Sequence, residues 1–154
     1  EDGIRDVAVT GVQTCALPIC SAMWDTWQDA LRAPVAGMVL SDMARSLFDV
    51  PLRDAVLAQS AREQGLQRPG IRDLLTTITE RSPLATALPA YTCRAAMAYL
   101  DGDLTAAKDM VNAVLSIDDY SLARLLRNGL EMRAPASLLA RSFAHFDPIE
   151  LLAA

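Results

Sequence analysis

The adjacent pair Arg53 and Asp54 is the polar feature of most chemical interest, because it lies on a predicted helix that is otherwise apolar on one side. Both side chains could contribute to an enzyme site that lies elsewhere in the protein. A simpler interpretation is a structural ion pair, because a guanidinium and a carboxylate at helical spacing attract each other. The partner would be Asp49 one turn earlier or a group on another helix. We therefore interpret this pair as structural.

The single histidine and one cysteine are the candidate reactive groups. His145 lies near Asp147, and a histidine oriented by a carboxylate can act as a general base. No nucleophile is nearby in the sequence, so a helix-end histidine near the negative end of the helix dipole is the simpler interpretation. Cys93 lies in an alanine-rich segment, which favours a buried, unreactive thiol.

Four aspartates could lie together at one end of a helical hairpin and bind a divalent cation. They are Asp101, Asp103, Asp118 and Asp119. Their spacing does not match an EF-hand loop, and helix capping accounts for them more simply. No glycine-rich phosphate loop, pair of catalytic carboxylates or zinc-ligand spacing appears in the sequence. The sequence thus predicts no catalytic residue, no cofactor and no metal.

Aromatic and basic side chains supply the remaining candidates, all of them for interaction. Trp24 and Trp27 could stack on a base or ligand, but with Leu31 at helical spacing they favour a core or a docking patch. The arginines at 124, 127 and 133 could recognise an acidic partner, although Glu131 four residues after Arg127 favours a solvated mixed-charge face. The candidates for an interaction or a structural polar role are therefore Arg53, Asp54, Trp24, Trp27, Arg124 and Arg127.

Composition limits the classes of protein that this chain can belong to. It has 154 residues, of which 52% are hydrophobic, and a formal net charge of −5. A chain of this length and hydrophobicity can bury a core as one domain. The acidic balance argues against nucleic-acid binding, and no apolar run reaches the roughly 20 residues that cross a membrane. One clearly native thiol, Cys93, suits a reducing cytoplasm.

Hydrophobic periodicity predicts an all-α fold, a bundle of eight or nine short antiparallel helices. The Pro69-Gly70 pair predicts a loop, Gly102 a left-handed turn residue and Asp103 the next N-cap. The predicted helices begin at Ser21, span 36–48, follow Asp49, span 71–81, begin at Pro83 or Pro89 and run to Leu100, and then follow Asp103, Ser121, Pro135 and Pro148.

Two resemblances cover the C-terminal part of the chain. Residues 90–130, with small residues where helices would cross and Gly102-Asp103 at the turn, resemble one tetratricopeptide-type hairpin. The same turn, the Asp118–Leu126 element and the segment 48–57 are similar to a largely actinobacterial family, domain of unknown function 4192, although that family places Pro-Gly where this chain has Asp118-Asp119. The resemblance implies an N-terminal α/β half and no assigned activity.

The first nineteen residues have a different character. They lack a hydrophobic period, and Glu1–Asp6 and Val9–Ile19 resemble the constant blocks of a translated sequencing adapter, with Val7-Ala8 at its variable index. We therefore expect 1–19 to be adapter-derived and not native. Residues 20–154 are then expected to form one helical domain, the C-terminal fragment of a longer protein, with 20–82 and 83–154 as candidate sub-units.

These observations lead to two functional expectations. The first is a non-catalytic helical scaffold or interaction module of a larger cytosolic bacterial protein, which contacts the missing N-terminal half or a protein partner, with no nucleic acid and no membrane. The alternative is a helical scaffold or lid of an enzyme or ligand-binding protein whose active site lies in that missing half.

Overall fold

The computed structural model describes residues 17–62 and 65–153, with side chains from residue 20 onward, and these residues form an all-α bundle as predicted. Within those ranges there is no strand, and no helix is long and apolar enough to cross a membrane. The helices are α1 (Leu17–Ala30), α2 (Gly37–Ser46), α3 (Val50–Ala61), α4 (Arg68–Arg81), α5 (Leu88–Leu100), α6 (Leu104–Leu115), α7 (Ser121–Glu131), α8 (Ala136–Ala144) and α9 (Pro148–Ala153), with a 3₁₀ turn at Leu84–Thr86.

Helix α3 lies at the centre of the bundle. It packs against α4, α5, α8 and α9, and α5 shares the centre because it packs against α3, α4, α6, α7 and α8. Leu52, Val56 and Leu57 are almost completely buried, and Ala55 and Ala58 on the same helix have no exposed surface. Because alanine carries only a methyl group, neighbouring helices can approach α3 closely on several sides.

One contiguous hydrophobic core joins the two ends of the described chain. It includes Cys20 and Trp27 of α1, Ile71 of α4, Met97 of α5 and Leu152 of α9. Both candidate sub-units therefore contribute side chains to the same core, and α4 packs directly on α5 across their boundary.

The α5–α6 hairpin has the turn that the sequence predicts. Gly102 adopts a left-handed conformation, with φ of 83°, and the side chain of Asp103 accepts a hydrogen bond from the backbone N–H of Ala106 at 3.1 Å. The backbone N–H of Gly102 donates to the carbonyl of Tyr99, and the backbone N–H of Asp103 donates to the carbonyl of Ala98. This pair of hydrogen bonds is the Schellman arrangement at a helix end.

Several predicted boundaries are wrong; at α7, for example, Tyr120 is the N-cap, and the predicted N-cap Ser121 is the first helical residue. Helix α1 begins at Leu17, inside the segment that resembles an adapter, so Ser21 is an exposed residue within the helix and not its N-cap. The Pro69-Gly70 pair lies in the first turn of α4 instead of in a loop, because proline at the start of a helix lacks only an N–H that has no helical acceptor there. The remainder of the adapter-like segment, 1–16, lies outside the described residues.

Candidate functional site

Arg53 is the centre of the best-connected polar cluster. Its Nε and Nη2 donate to Oδ1 of Asp54 at 2.8 and 2.7 Å, and its Nη1 donates to the hydroxyl of Tyr120 at 2.8 Å. The guanidinium carbon also lies 5.8 Å from the centroid of the Tyr120 ring. The ion pair joins the adjacent residues Arg53 and Asp54 of α3, whereas the sequence predicts a partner at Asp49 or on another helix. The contact with another helix is made by Tyr120, the N-cap residue of α7, which the sequence did not indicate.

The electrostatics of this cluster keep Arg53 charged. Burial alone lowers the pKa of the guanidinium, but the hydrogen bond to Tyr120 and the charge of Asp54 outweigh it and raise the pKa above its ordinary value. Burial raises the pKa of Tyr120, against the lowering effect of the neighbouring Arg53. Both groups therefore keep their neutral-pH protonation states throughout the physiological range.

Cys93 faces the same region from α5 and is fully buried. Burial, with a small addition from Asp54 and against the effect of Arg53, raises the pKa of its thiol to about 12. Only a thiolate is a good nucleophile, so this cysteine is unreactive at neutral pH. Neither of the two clefts described below includes Arg53, Asp54 or Cys93, and the hydrogen bond from Arg53 to Tyr120 links α3 to the start of α7.

The two tryptophans have different environments. Trp27 is 1% exposed and its Nε1 donates to Oγ of Ser46 at 3.3 Å, so it belongs to the core. Trp24 is half-buried and lines a cleft of about 340 Å³ between α1, α3 and α9. We call this the α1/α3/α9 cleft; its lining residues are Trp24, Gln28, Gln59, Arg62, Gln67, Asp147, Pro148 and Ile149.

Paired polar side chains hold the α1/α3/α9 cleft together. Gln28 Nε2 donates to Gln59 Oε1 at 3.1 Å, and Gln59 Nε2 donates to Gln28 Oε1 at 2.8 Å. On the opposite wall, Arg62 Nη1 donates to the carbonyl of Phe146 at 2.9 Å and lies 3.5 Å from Oδ2 of Asp147. Sequence reasoning missed both glutamines; Gln28 follows Trp24 by one helical turn, but no spacing relates it to Gln59.

Arg124 and Arg127 lie apart from both of these sites, on the outer side of α7. Arg124 Nε is 3.2 Å from Asp119 Oδ1, and Arg127 Nε is 3.9 Å from Glu131 Oε1. All four side chains are more than 40% exposed. They form a solvated mixed-charge face, which is the interpretation that the sequence favours, and exposed pairs of this kind contribute little to stability.

The remaining reactive candidates are used structurally. Asp147 accepts from the backbone N–H of Ile149 at 2.9 Å and pairs with Arg62, while exposed His145 contacts the Phe146 ring edge-on at 5.4 Å between centroids. Asp101 pairs with Arg68 and Arg72. In the part of the chain that the structure describes, no three histidine, cysteine or acidic side chains are placed to hold a metal ion.

A second and larger cleft, of about 530 Å³, lies between the α1–α2 connection and α4. Its lining residues include the apolar Leu31, Leu40 and Leu74 and the basic Arg32 and Arg81. Arg32 is strongly exposed and lies only 3.7 Å from Asp29, so this wall has no fixed arrangement of donors.

Comparisons with protein-family models, with curated proteins and with solved structures find no match to this chain. Any assignment of function therefore depends on the geometry of the described residues.

Proposed function

We propose that this chain is a non-catalytic helical interaction module that binds another protein segment through the α1/α3/α9 cleft. The observation that carries this proposal is the partly exposed apolar wall of the cleft: Trp24 is half-buried and Ile149 is 70% exposed. Apolar groups beside satisfied polar pairs are typical of protein-binding surfaces. In the best-connected polar cluster Arg53 is buried and its hydrogen bond to Tyr120 joins two helices, which supports a scaffold more than a reaction.

The partner that we propose is a further segment of the same protein, located in the cytoplasm. The similarity of 48–57 and 102–126 to domain of unknown function 4192 supports this choice, since that family has an α/β half before its helical part. The lone clearly native thiol, Cys93, supports the reducing compartment. A family member from an actinobacterium is the source that this proposal implies.

The test uses the protein as its genome encodes it, with a photo-crosslinking amino acid at position 149 or at position 132. Met132 is the matched control because it is 81% exposed and follows α7, which is not one of the three helices that line the cleft. We expect mass spectrometry to find cross-links from 149, and not from 132, to a segment outside 20–154. Equal yields from both positions, no cross-link from 149, or substrate turnover abolished by Arg53→Met in a folded protein, would each overturn the proposal.

A further inference from the structure

The two glutamines of the α1/α3/α9 cleft retain hydrogen-bonding capacity beyond their mutual pair. Each carboxamide has two N–H donors and two acceptor lone pairs, and the reciprocal pair uses one donor and one lone pair of each. One N–H and one lone pair therefore stay available on Gln28 and on Gln59. Because the pair fixes both side chains, these groups are presented without a large further loss of conformational entropy.

Among the described residues, those that line the cleft carry no net charge. The three glutamines are neutral, and Asp147 balances the charge of Arg62 at a distance of 3.5 Å. Arg62 also donates a hydrogen bond to the carbonyl of Phe146. A phosphate or another strongly charged ligand would therefore meet no excess of opposite charge here. An uncharged group with both donors and acceptors fits better.

A polypeptide backbone in the extended conformation has this chemistry. In an antiparallel pair of strands, a residue exchanges both its N–H and its C=O with one opposite residue, so these two groups lie on the same side of the chain. On each edge of the glutamine pair a free lone pair of one carboxamide adjoins the free N–H of the other, and together they can satisfy both of these groups. Neighbouring side chains of an extended segment point alternately to opposite sides, which would bring an apolar side chain against Trp24 and Ile149.

We infer that the α1/α3/α9 cleft binds an extended, uncharged peptide segment, whose backbone hydrogen-bonds to Gln28 and Gln59 and whose apolar side chain packs on Trp24 and Ile149. This inference rests on the proposed function, which it deepens by naming the form of the partner. The modest volume of the cleft, about 340 Å³, limits the contact to a short segment and makes binding readily reversible.

The test begins with an unbiased peptide library displayed against the full chain. Selected peptides are then synthesised, and their affinity is measured by fluorescence polarisation. We expect Ile149→Ala and the double substitution of Gln28 and Gln59 by alanine each to weaken binding about tenfold. The double substitution removes both partners of one pair, so neither amide is left unsatisfied. Met132→Ala is the control and should leave affinity unchanged.

Backbone recognition has its own readout. N-methylation of the peptide at single positions removes one N–H at a time, and we expect one position to lose about tenfold in affinity while its neighbours do not. Failure to select any peptide, selected peptides that are insensitive to the cleft substitutions, a flat N-methylation scan, or binding of saccharides on a glycan array in place of peptides would each overturn the inference. A retained cross-link from position 149 in those cases would show that the proposed function survives and only this inference fails.

Discussion

Tyr120 and Arg53 are separated by 67 positions in the chain, yet they share a hydrogen bond that links α3 to the start of α7. The side chain of Arg53 is only 10% exposed, so its guanidinium depends on its acceptors: a buried donor without a partner loses its hydrogen bonds to water and gains none in return. The structural role of this cluster can therefore be tested by measuring the free energy of unfolding of variants.

Tyr120→Phe removes the acceptor and keeps the ring. We expect it to lower the free energy of unfolding by about 1–2 kcal/mol, measured by urea denaturation. In an Arg53→Met background the same substitution should cost about 1 kcal/mol less, because the donor that it would leave unsatisfied is already absent. Equal costs in the two backgrounds would show that the bond does not couple the two residues.

The thiol of Cys93 gives a pH-dependent prediction. Its pKa is about 12 in the folded chain against an ordinary value of 9.0, so its contribution to stability is complete below pH 9 and is lost as pH rises towards 12. In that interval the unfolded chain releases a proton that the folded chain retains. We expect the free energy of unfolding to fall more steeply above pH 9 than in Cys93→Ala, by up to about 1 kcal/mol per pH unit. The prediction would be contradicted if the free energy of unfolding fell equally steeply above pH 9 in the unsubstituted chain and in Cys93→Ala.

At the scale of elements, two helix ends form the same Schellman arrangement with different residues. Gly102 ends α5 with φ of 83°, and Arg133 ends α7 with φ of 52°, where the N–H of Ala134 donates to Gly129 and that of Arg133 to Leu130. Left-handed backbone is unfavourable for any residue with a Cβ and not for glycine.

This comparison predicts opposite effects of two substitutions. Arg133→Gly should raise the free energy of unfolding by about 1 kcal/mol, and Gly102→Ala should lower it by about the same amount. A Cβ at Gly102 meets no atom within 4 Å, so the loss there is one of backbone conformation alone. Arg133→Ala, which keeps the left-handed strain, is the control and should change stability little. Thermal denaturation of all three variants checks the signs.

The sequence predicted helices well where local signals determine them. The Gly102-Asp103 turn and the helix starts after Pro135 and at Pro148 are confirmed, since they depend on backbone preferences of a few adjacent residues. The start of α4 was missed because Pro69 is compatible both with a loop and with a first helical turn. Only packing of the helix on its neighbours distinguishes the two.

The site was less predictable because its contacts join distant parts of the chain. Periodicity placed Trp24 and Trp27 on one helix face, but it could not show that one would enter the core and the other a cleft. The Gln28–Gln59 pair spans 31 positions, and glutamine is usually a solvated residue, so neither residue had a local signal.

At the scale of the whole molecule, the shared core predicts one cooperative unit. Expressed separately, 20–82 and 83–154 would each expose the apolar surface that α4 and α5 bury against each other. We expect each piece alone to show weak helicity and no cooperative thermal transition by circular dichroism, in contrast to the whole chain. A sharp transition in either piece would establish that it is an independent sub-unit.

The central position of α3 has an evolutionary and practical consequence. Most helices have a solvent-exposed side on which neutral substitutions can accumulate. Helix α3 packs against four neighbouring helices and has little exposed surface of this kind. Homologues should therefore vary little along 50–61, and the same holds for α5, which is buried to a similar or greater extent; these two stretches are the best probes for finding distant relatives. Fluorescent labels and affinity tags belong instead on the outward side of α7, where a new side chain displaces only water.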